Sequence, residues 1–415
     1  MSQSTLPFQV DYARHPAFAP YLVWDSRNDG PVDEAIDLLN RLLLDCESAL
    51  TLKRLTLPQA LERFNEGVRL LMQLLVQMNK EVDAPFAPFV DRFYMEIVRV
   101  AIDDLAYFER RNSYVPVINN AAEMALRNQL ASDGFVRFDL AADELAAIRR
   151  QVQPYVQKLD ERYRQGGRSR EELSNNEIDG VSTALIGEVF GRHGFNKAVS
   201  DVRHEPARAG GFAVEISPHD NDWWHSRYED AGVMTPGPAA YFHNDESRNV
   251  YKAIIYLDDV DDSLGPFSFV PTSYAMERPR FEWVVARATL TTLASDEIRR
   301  TMTDIRPSRG VFTSRVARQF FGMLPARLRL NSHLGFDVLD GTPQAAALKA
   351  GEVTMLARAG HAIVFDGSRL LHRGGLVRRG RRTALQVMFD VNRKNGFDLY
   401  NHVQRAMSPG SAHVR

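Results

Sequence analysis

The residues best suited to chemistry are a histidine and an aspartate two positions apart, His243 and Asp245, in the segment YFHNDESRNVYKAIIYLDD. Residues i and i+2 of an extended segment point to the same side, so these side chains can present an imidazole and a carboxylate to one ion. The chain contains no other His-x-Asp. About one copy is nevertheless expected by chance in a chain of this length with 11 His and 31 Asp. The motif therefore needs support from elsewhere in the chain.

A second histidine, His372, lies much further along, in AGHAIVFDGSRLLHRGG. It follows a predicted strand over residues 362–365 and a predicted turn at Asp366-Gly367. Two histidines and one carboxylate make up the facial triad of non-haem iron oxygenases, which leaves coordination positions open for a cosubstrate and O₂. His372 is therefore the candidate for the missing ligand.

An arginine with a complementary role follows in RTALQVMFD. Alternation in this predicted strand places Arg382, Ala384 and Gln386 on one face and points the neighbouring Arg381 the other way. A permanently charged guanidinium near a metal suits the far carboxylate of a dicarboxylate cosubstrate. His-x-Asp followed by His and then Arg is much rarer by chance than either part alone.

Short strands must position these residues. From about residue 210 the sequence breaks into β runs separated by Gly, Pro, Asn and Asp, including GFAVEIS, VYKAIIYLDD and PFSFVPTSY. Such spacing is typical of an all-β sandwich or barrel. Helical patterns over about residues 277–348 indicate an insertion between core strands. Upstream, DGFVRFD is a predicted strand, AADELAAIRRQVQPYVQKLDERYR a predicted helix and residues 165–180 a predicted exposed loop.

The first third of the chain is predicted to be helical. Apolar residues recur at helical spacing in three segments between residues 31 and 111, and a fourth helix is predicted over residues 119–134. Their Met, Leu and aromatic stripes are typical of packing between helices, with a partner- or substrate-facing groove as the alternative. We therefore expect a helical region over residues 1–128 and a β-rich domain over residues 129–415.

Composition excludes several classes of function. The 415 residues carry a formal net charge of −2, so no global field recruits nucleic acid. The single cysteine, Cys46, excludes an intrachain disulfide and a cysteine-based zinc site, and fits a reducing cytoplasm. No apolar run approaches the roughly 20 residues that span a bilayer. We expect a cytoplasmic protein with a small-molecule substrate and neither nucleic acid nor membrane as partner. Any homo-oligomer contact is expected at the N-terminal helices.

These motifs resemble the phytanoyl-CoA dioxygenase-like branch of the Fe(II)/2-oxoglutarate-dependent oxygenases. The resemblance covers about residues 130–391 without the insertion: LASDGFVRFD resembles the opening strand, FHND the first two ligands and AGHAIVFDGSRLLHRGG…RRTAL the remainder. It implies an α+β chain with a double-stranded β-helix, the jelly-roll core of the cupins. It also implies that His243, Asp245 and His372 bind iron and carry the catalysis. By the same resemblance, Arg382 holds the C5 carboxylate of 2-oxoglutarate.

The resemblance implies a dioxygenase that uses Fe(II), 2-oxoglutarate and O₂, releases succinate and CO₂, and oxidises a C–H bond of a small organic substrate, with hydroxylation as the expected outcome. The helical region and the insertion favour a biosynthetic substrate. The chain departs from the family at Tyr274, where a histidine is usual, and at His361, where aspartate is frequent. Two alternatives stay open: a non-catalytic interaction protein with a degenerate oxygenase fold, and a cupin-type metal enzyme that does not use 2-oxoglutarate.

Other residues have weaker functional interpretations. Trp224, in SPHDNDWWHSRYED, is predicted to line the pocket against the substrate. His219 and His225 in the same segment are rival metal ligands, but their polar loop context disfavours them. His361 is expected to be structural or to lie beside the ligands. Lys252 is expected at the surface, with contact to an anionic group as the alternative.

Overall fold

Among the described residues, most helices lie in the first half of the chain and most strands in the second. The helices are α1 (Asp29–Thr51), α2 (Leu57–Met78), α3 (Ala87–Arg111), α4 (Ala121–Asp133), α5 (Ala142–Arg164), α6 (Gly180–Arg192), α7 (Phe195–Arg203) and α8 (Arg280–Leu293). The strands are β1 (Phe135–Asp139), β2 (Glu171–Leu173), β3 (Ala207–Pro218), β4 (Tyr251–Tyr256), β5 (Ser268–Phe269), β6 (Val353–Thr354), β7 (His361–Asp366), β8 (His372–Arg373) and β9 (Arg381–Val391). The computed structural model describes residues 19–78, 87–165, 171–173, 177–218, 244–245, 250–274, 280–293, 322–329, 346–347, 350–375 and 377–391.

Helices α1, α2 and α3 share one apolar core with α8, which we term the helical cluster. Buried residues of α1 recur every three or four positions, so one face of the helix meets its neighbours. Phe281 of α8 contacts Phe64 of α2 edge to face, with ring centroids 6.1 Å apart. The described helix of the predicted insertion is therefore packed with the N-terminal helices.

Helices α4 to α7 form a second helical layer, against the large sheet. Helix α4 begins where the Asn120 side chain accepts the N–H of Glu123 at 2.9 Å, and it ends at Gly134, whose φ is +79°. A Cβ on Gly134 would lie 2.3 Å from the ring of Tyr274. Glycine is thus required there both for the backbone conformation and for the close approach of the tyrosine.

The described strands form two antiparallel sheets. The large sheet has six strands in the order β1-β7-β4-β9-β3-β2, and the small sheet has three in the order β6-β5-β8. The longest pairing joins β3 to β9, from Ala207 opposite Val391 to Pro218 opposite Arg381. Residues that lie opposite each other in an antiparallel pair share a face, so the register determines which side chains meet.

Alternation gives the large sheet two different buried faces. On the face toward α4–α7, named the helix face, the strands bury an apolar core that includes Ile255, Val364 and Leu385. On the face toward the small sheet, named the inner face, Tyr256 and Phe365 pack with apolar residues of the small sheet. The described part of the chain thus has a layered arrangement of helices, large sheet and small sheet.

The predicted mixture of helices and antiparallel sheet is confirmed, while the double-stranded β-helix topology and the domain limits stay predictions. The prediction of a loop over residues 165–180 is wrong in part, because β2 lies within it and pairs Leu173 with Val214 of β3. A strand of three residues is too short to show alternation. Helices α6 and α7 were not predicted from the sequence. None of the described helices combines the length and the apolar character that a membrane crossing requires.

Candidate functional site

Asp245 lies just before β4, and its backbone is hydrogen-bonded to the turn that follows β7. Its N–H donates to the carbonyl of Gly367 at 2.7 Å, and the N–H of Gly367 donates to the carbonyl of Val250 at the same distance. A Cβ on Gly367 would lie 1.9 Å from Asp245 Oδ2, so glycine is what leaves room for the carboxylate. The turn after β7 is therefore a cradle for the Asp245 side chain.

The carboxylate of Asp245 is buried beside a lysine. Lys252 Nζ, on the inner face of β4, donates to Asp245 Oδ1 at 2.6 Å, and the two residues are 6% and 9% exposed. The expectation that Lys252 is a surface lysine is wrong. Strand β4 is covered on both faces, and burial of the ammonium is tolerated because the carboxylate compensates its charge.

His372 begins β8 in the small sheet and faces Asp245. Its Nδ1 lies 2.9 Å from the carbonyl oxygen of Leu370, a contact in which Nδ1 donates, so that in the neutral imidazole the lone pair is on Nε2. Nε2 lies 3.9 Å from Asp245 Oδ2. The rings of Phe267 and Phe365 pack against the imidazole, with centroids 5.8 and 4.9 Å away. Histidines that bind metals are held in this way, with the other ring N–H given to a carbonyl or carboxylate.

Hydrogen bonds hold the turn that carries His372. The Asp366 carboxylate accepts the N–H of Ser368 at 3.0 Å and its hydroxyl at 2.5 Å. The N–H of Leu371 donates to the Ser273 hydroxyl at 2.8 Å. Complete burial raises the pKa of Asp366. The turn thereby sets the position of His372 relative to the Asp245 cradle.

The geometry of the Asp245 and His372 side chains fits one metal ion. With bonds of about 2.1 Å, adjacent ligands of one ion lie about 3 Å apart. The atoms Oδ2 and Nε2 are separated by 3.9 Å, so a closer approach of about 1 Å would bring both onto one ion. A carboxylate oxygen and an imidazole nitrogen also belong to the donor set of non-haem iron sites. Two of the three predicted ligands are therefore brought together in the interior of the protein.

The third predicted ligand, His243, lies outside the described residues, and so do Trp224, His219 and His225. Within the described ranges, no three or more His, Cys, Asp or Glu side chains are grouped so that they could hold a metal ion. The assignments of His243 as a ligand and of Trp224 as a substrate contact stay predictions.

Arg382 is buried toward the other end of the inner face. It lies opposite Ser217 of β3, whereas Lys252 lies opposite Met388, six residues further along β9. Six residues of strand correspond to about 20 Å. The two cationic residues thus occupy separate positions along the inner face, and an anionic group is the ligand that suits the Arg382 end.

The Arg382 guanidinium already contacts polar side chains. Its Nη2 donates to Glu215 Oε1 at 3.0 Å and lies 3.4 Å from Ser217 Oγ, which itself donates to Glu215 Oε1 at 2.8 Å. Arg382 Nε is buried and has no hydrogen-bond partner within the part of the chain that the structure describes. Nearby, the Tyr256 hydroxyl accepts the N–H of Phe267 at 2.8 Å, and burial raises the Tyr256 pKa.

Arg381 has a different environment from its neighbour. It forms an ion pair with Asp160 of α5, on the helical side of the sheet. Further along β9, Ala384 belongs to the inner core and Leu385 to the core of the helix face. The predicted separation of Arg381 and Arg382 by strand alternation is confirmed.

Three residues that the sequence analysis did not assign to the site contribute to it: Lys252, Glu215 and Gly367. A signal was present for Glu215, since it is the one charged residue of the strand pattern GFAVEIS. Gly367 was assigned only to a turn. His361 pairs with Asp139 across β1 and β7, with Nδ1 and Oδ1 2.7 Å apart, which supports the expected structural role.

Comparison with known proteins gives weak likenesses only. No protein-family model and no curated protein matches the sequence. Solved structures similar to this chain include the epimerase SnoN in complex with Fe3+, alpha ketoglutarate and nogalamycin RO (14% identity, TM-score 0.36, 65% of this chain and 84% of that one). They also include EctD from S. alaskensis with 2-oxoglutarate and 5-hydroxyectoine (12%, 0.39, 67% and 81%) and iron-bound HygX from Streptomyces hygroscopicus (12%, 0.35, 65% and 86%). Likeness at this level assigns neither a family nor an activity to this chain.

Proposed function

We propose that this chain is an Fe(II)- and 2-oxoglutarate-dependent dioxygenase that oxidises a C–H bond of a small organic substrate. The observation that carries the proposal is the buried approach of Asp245 Oδ2 to His372 Nε2, at 3.9 Å. The hydrogen bond to Leu370 leaves the Nε2 lone pair on the side of the carboxylate. His243, two positions before Asp245, would complete a facial triad.

Bound Fe(II), 2-oxoglutarate and O₂ would together supply the oxidising chemistry, with succinate and CO₂ as the products of the cosubstrate. The chain's own residues position the participants. Lys252 holds Oδ1 of Asp245, so Oδ2 is the oxygen that is presented to His372. Phe267 and Phe365 cover the imidazole and keep water from that side.

Arg382 is the proposed anchor for the far carboxylate of 2-oxoglutarate. Its guanidinium is permanently charged and forked, which suits a carboxylate. A dicarboxylate is charged at both ends, so one carboxylate suits Arg382 and the other remains for the metal. The buried Nε of Arg382 is a donor that such a carboxylate can satisfy.

Hydroxylation of a small biosynthetic metabolite is the proposed outcome. Asp245, His372 and Arg382 are each less than a tenth exposed. A centre at that depth favours a small molecule over a polymer or a membrane lipid. Trp224 is the proposed aromatic contact for the substrate.

The two adjacent arginines provide the test. Purified wild-type protein, Arg382→Ala and Arg381→Ala are incubated with Fe(II), ascorbate and 2-oxoglutarate in air, and succinate is quantified. We expect Arg382→Ala to lower succinate formation about 10- to 100-fold, because a charge-assisted hydrogen bond to the cosubstrate is lost. Arg381→Ala removes an ion pair on the opposite face and is expected to change the rate less than about twofold.

Other outcomes would favour the alternatives. Equal succinate formation by Arg382→Ala and the wild type would contradict the assigned anchor. Metal binding without any turnover of 2-oxoglutarate would indicate a cupin-type metal enzyme of another kind. A wild-type protein that binds neither Fe(II) nor Mn(II) would indicate an interaction protein with a degenerate oxygenase fold.

A further inference from the structure

Glu215 occupies the place where an incoming carboxylate would be expected to meet Arg382. It lies on β3 opposite Ala384, on the inner face, and Ser217 lies opposite Arg382. Glu215, Ser217 and Arg382 are 8%, 7% and 8% exposed. Glu215 Oε1 accepts from both Arg382 Nη2 and Ser217 Oγ. The ion pair is therefore a built feature of the interior and not a chance surface contact.

A second carboxylate at this arginine must contend with the first. The ligand either displaces Glu215 from Nη2 or uses the edge of the guanidinium that carries the unpartnered Nε. In both cases the charge of Glu215 opposes the ligand's charge, and in a buried site that repulsion is weakly screened. One guanidinium then compensates two carboxylates.

We infer that Glu215 is an internal competitor of the cosubstrate's far carboxylate, and that it sets the affinity for 2-oxoglutarate through Arg382. This inference rests on the proposed function. It makes Glu215 a specificity-determining residue: it weakens the binding of ligands with a carboxylate at the Arg382 end and leaves ligands without one unaffected. Ser217 holds the Glu215 carboxylate in place for this role.

A purely structural role for Glu215 makes the opposite prediction. If the glutamate served only to neutralise and orient Arg382, its loss would leave the guanidinium disordered, and 2-oxoglutarate would bind more weakly. The sign of the change in affinity therefore separates the two roles.

The test measures binding to Mn(II)-loaded protein by calorimetry, with 2-oxoglutarate and with 2-oxovalerate, which has the same chain length but no far carboxylate. Glu215→Gln keeps the shape of the side chain and removes its charge. We expect it to bind 2-oxoglutarate about 10- to 100-fold more tightly than the wild type. Its affinity for 2-oxovalerate is expected to change less than about threefold, because this ligand has no carboxylate at the end that faces Glu215. Glu144→Gln removes the charge of a glutamate that pairs with Arg192 among the helices, away from the inner face. It is the matched control and is expected to have near wild-type affinity for both ligands.

Weaker or unchanged binding of 2-oxoglutarate by Glu215→Gln would overturn the inference. An equal gain for both ligands would also overturn it, because the effect would not depend on the far carboxylate. If Glu215→Gln does not fold, Glu215→Asp retains the charge but draws it back from Arg382. The inference then requires a larger rise in melting temperature on addition of Mn(II) and 2-oxoglutarate than in the wild type. Failure of the proposed function looks different: wild-type protein would not bind 2-oxoglutarate, or Arg382→Ala would bind it equally well.

Discussion

The two faces of the large sheet are buried to a similar depth, but they are built from different kinds of residue. The central part of the helix face is apolar, with Ile255, Val364 and Leu385 packed against the helices. The inner face of the same strands carries Lys252 and Arg382 among its apolar residues. Burial removes both faces from water, but the buried cations of the described strands, Lys252 and Arg382, lie on the inner face, which bears the cost of their desolvation.

The charges of the inner face are compensated in pairs, Lys252 with Asp245 and Arg382 with Glu215. Replacing a buried ion pair by apolar residues of similar volume is often neutral or stabilising. Stability alone therefore does not account for these residues. The helix face thus contributes apolar packing, whereas the inner face carries the paired charges on which the proposed function rests.

The largest expected effects come from one substitution beside the inner face and one on the helix face. His372→Leu replaces the imidazole by an apolar group of similar size, so metal affinity should fall more than about 100-fold while stability changes by less than about 1.5 kcal/mol. Leu385→Ala should cost about 2–5 kcal/mol of unfolding free energy, because it leaves a cavity in the helix face. Mn(II) titration and urea unfolding of both variants provide the measurements.

The contrast between the two faces would fail if His372→Leu also lost stability or if Leu385→Ala also lost metal affinity. Loss of stability in His372→Leu as large as in Leu385→Ala would show that the imidazole is chiefly a packing residue. Loss of metal affinity in folded Leu385→Ala at low temperature would show that the helix face also shapes the site.

A smaller effect is expected at the cradle for Asp245. Gly367→Ala introduces a Cβ 1.9 Å from Asp245 Oδ2, and the carboxylate must swing away from His372 to relieve the contact. Metal affinity is therefore expected to fall about 10- to 100-fold, as it does when the positioning of a ligand is lost. Gly180→Ala is the control, since nothing lies within 4 Å of the added Cβ. Equal metal affinities of the two variants in the Mn(II) titration would contradict the cradle.

The smallest expected effect lies where the helical cluster meets α7. His204 Nδ1 is 3.2 Å from the Tyr107 hydroxyl, and burial, aided by nearby arginines, lowers the His204 pKa below its ordinary value of 6.5. At pH values between the lowered pKa of the folded chain and the ordinary value of 6.5, the unfolded chain binds more protons than the folded one. Stability is therefore lost as the pH falls below about 6.5.

The variant His204→Asn isolates this contribution, because asparagine tolerates the left-handed backbone conformation at this position, where φ is +55°. We expect the melting temperature of the wild type to fall more steeply between pH 7 and pH 5 than that of the variant. Metal affinity at pH 7 should be the same in both. Parallel melting curves would rule out His204 as the titrating group.

Local patterns predicted a large part of the fold. Apolar spacing placed α1, α2, α3 and α5 within a few residues of their observed bounds, and alternation placed β1, β4 and β7. The prediction of a loop over residues 165–180 failed at β2. This strand forms by pairing with the edge of β3, and three residues are too few to show an alternating pattern. The packing of α8 into the helical cluster was likewise invisible, because its partners lie some two hundred residues away in the chain.

The sequence by itself determined the chemistry that the site can hold: the types and order of Asp245, His372 and Arg382, and the alternation that separates Arg382 from Arg381. The tertiary structure alone decided which neighbours these side chains have. Lys252 reaches Asp245, Glu215 reaches Arg382 and Gly367 makes room for a carboxylate because strands distant in sequence are paired in one register. Register is set by the burial of whole faces, so no short motif contains it.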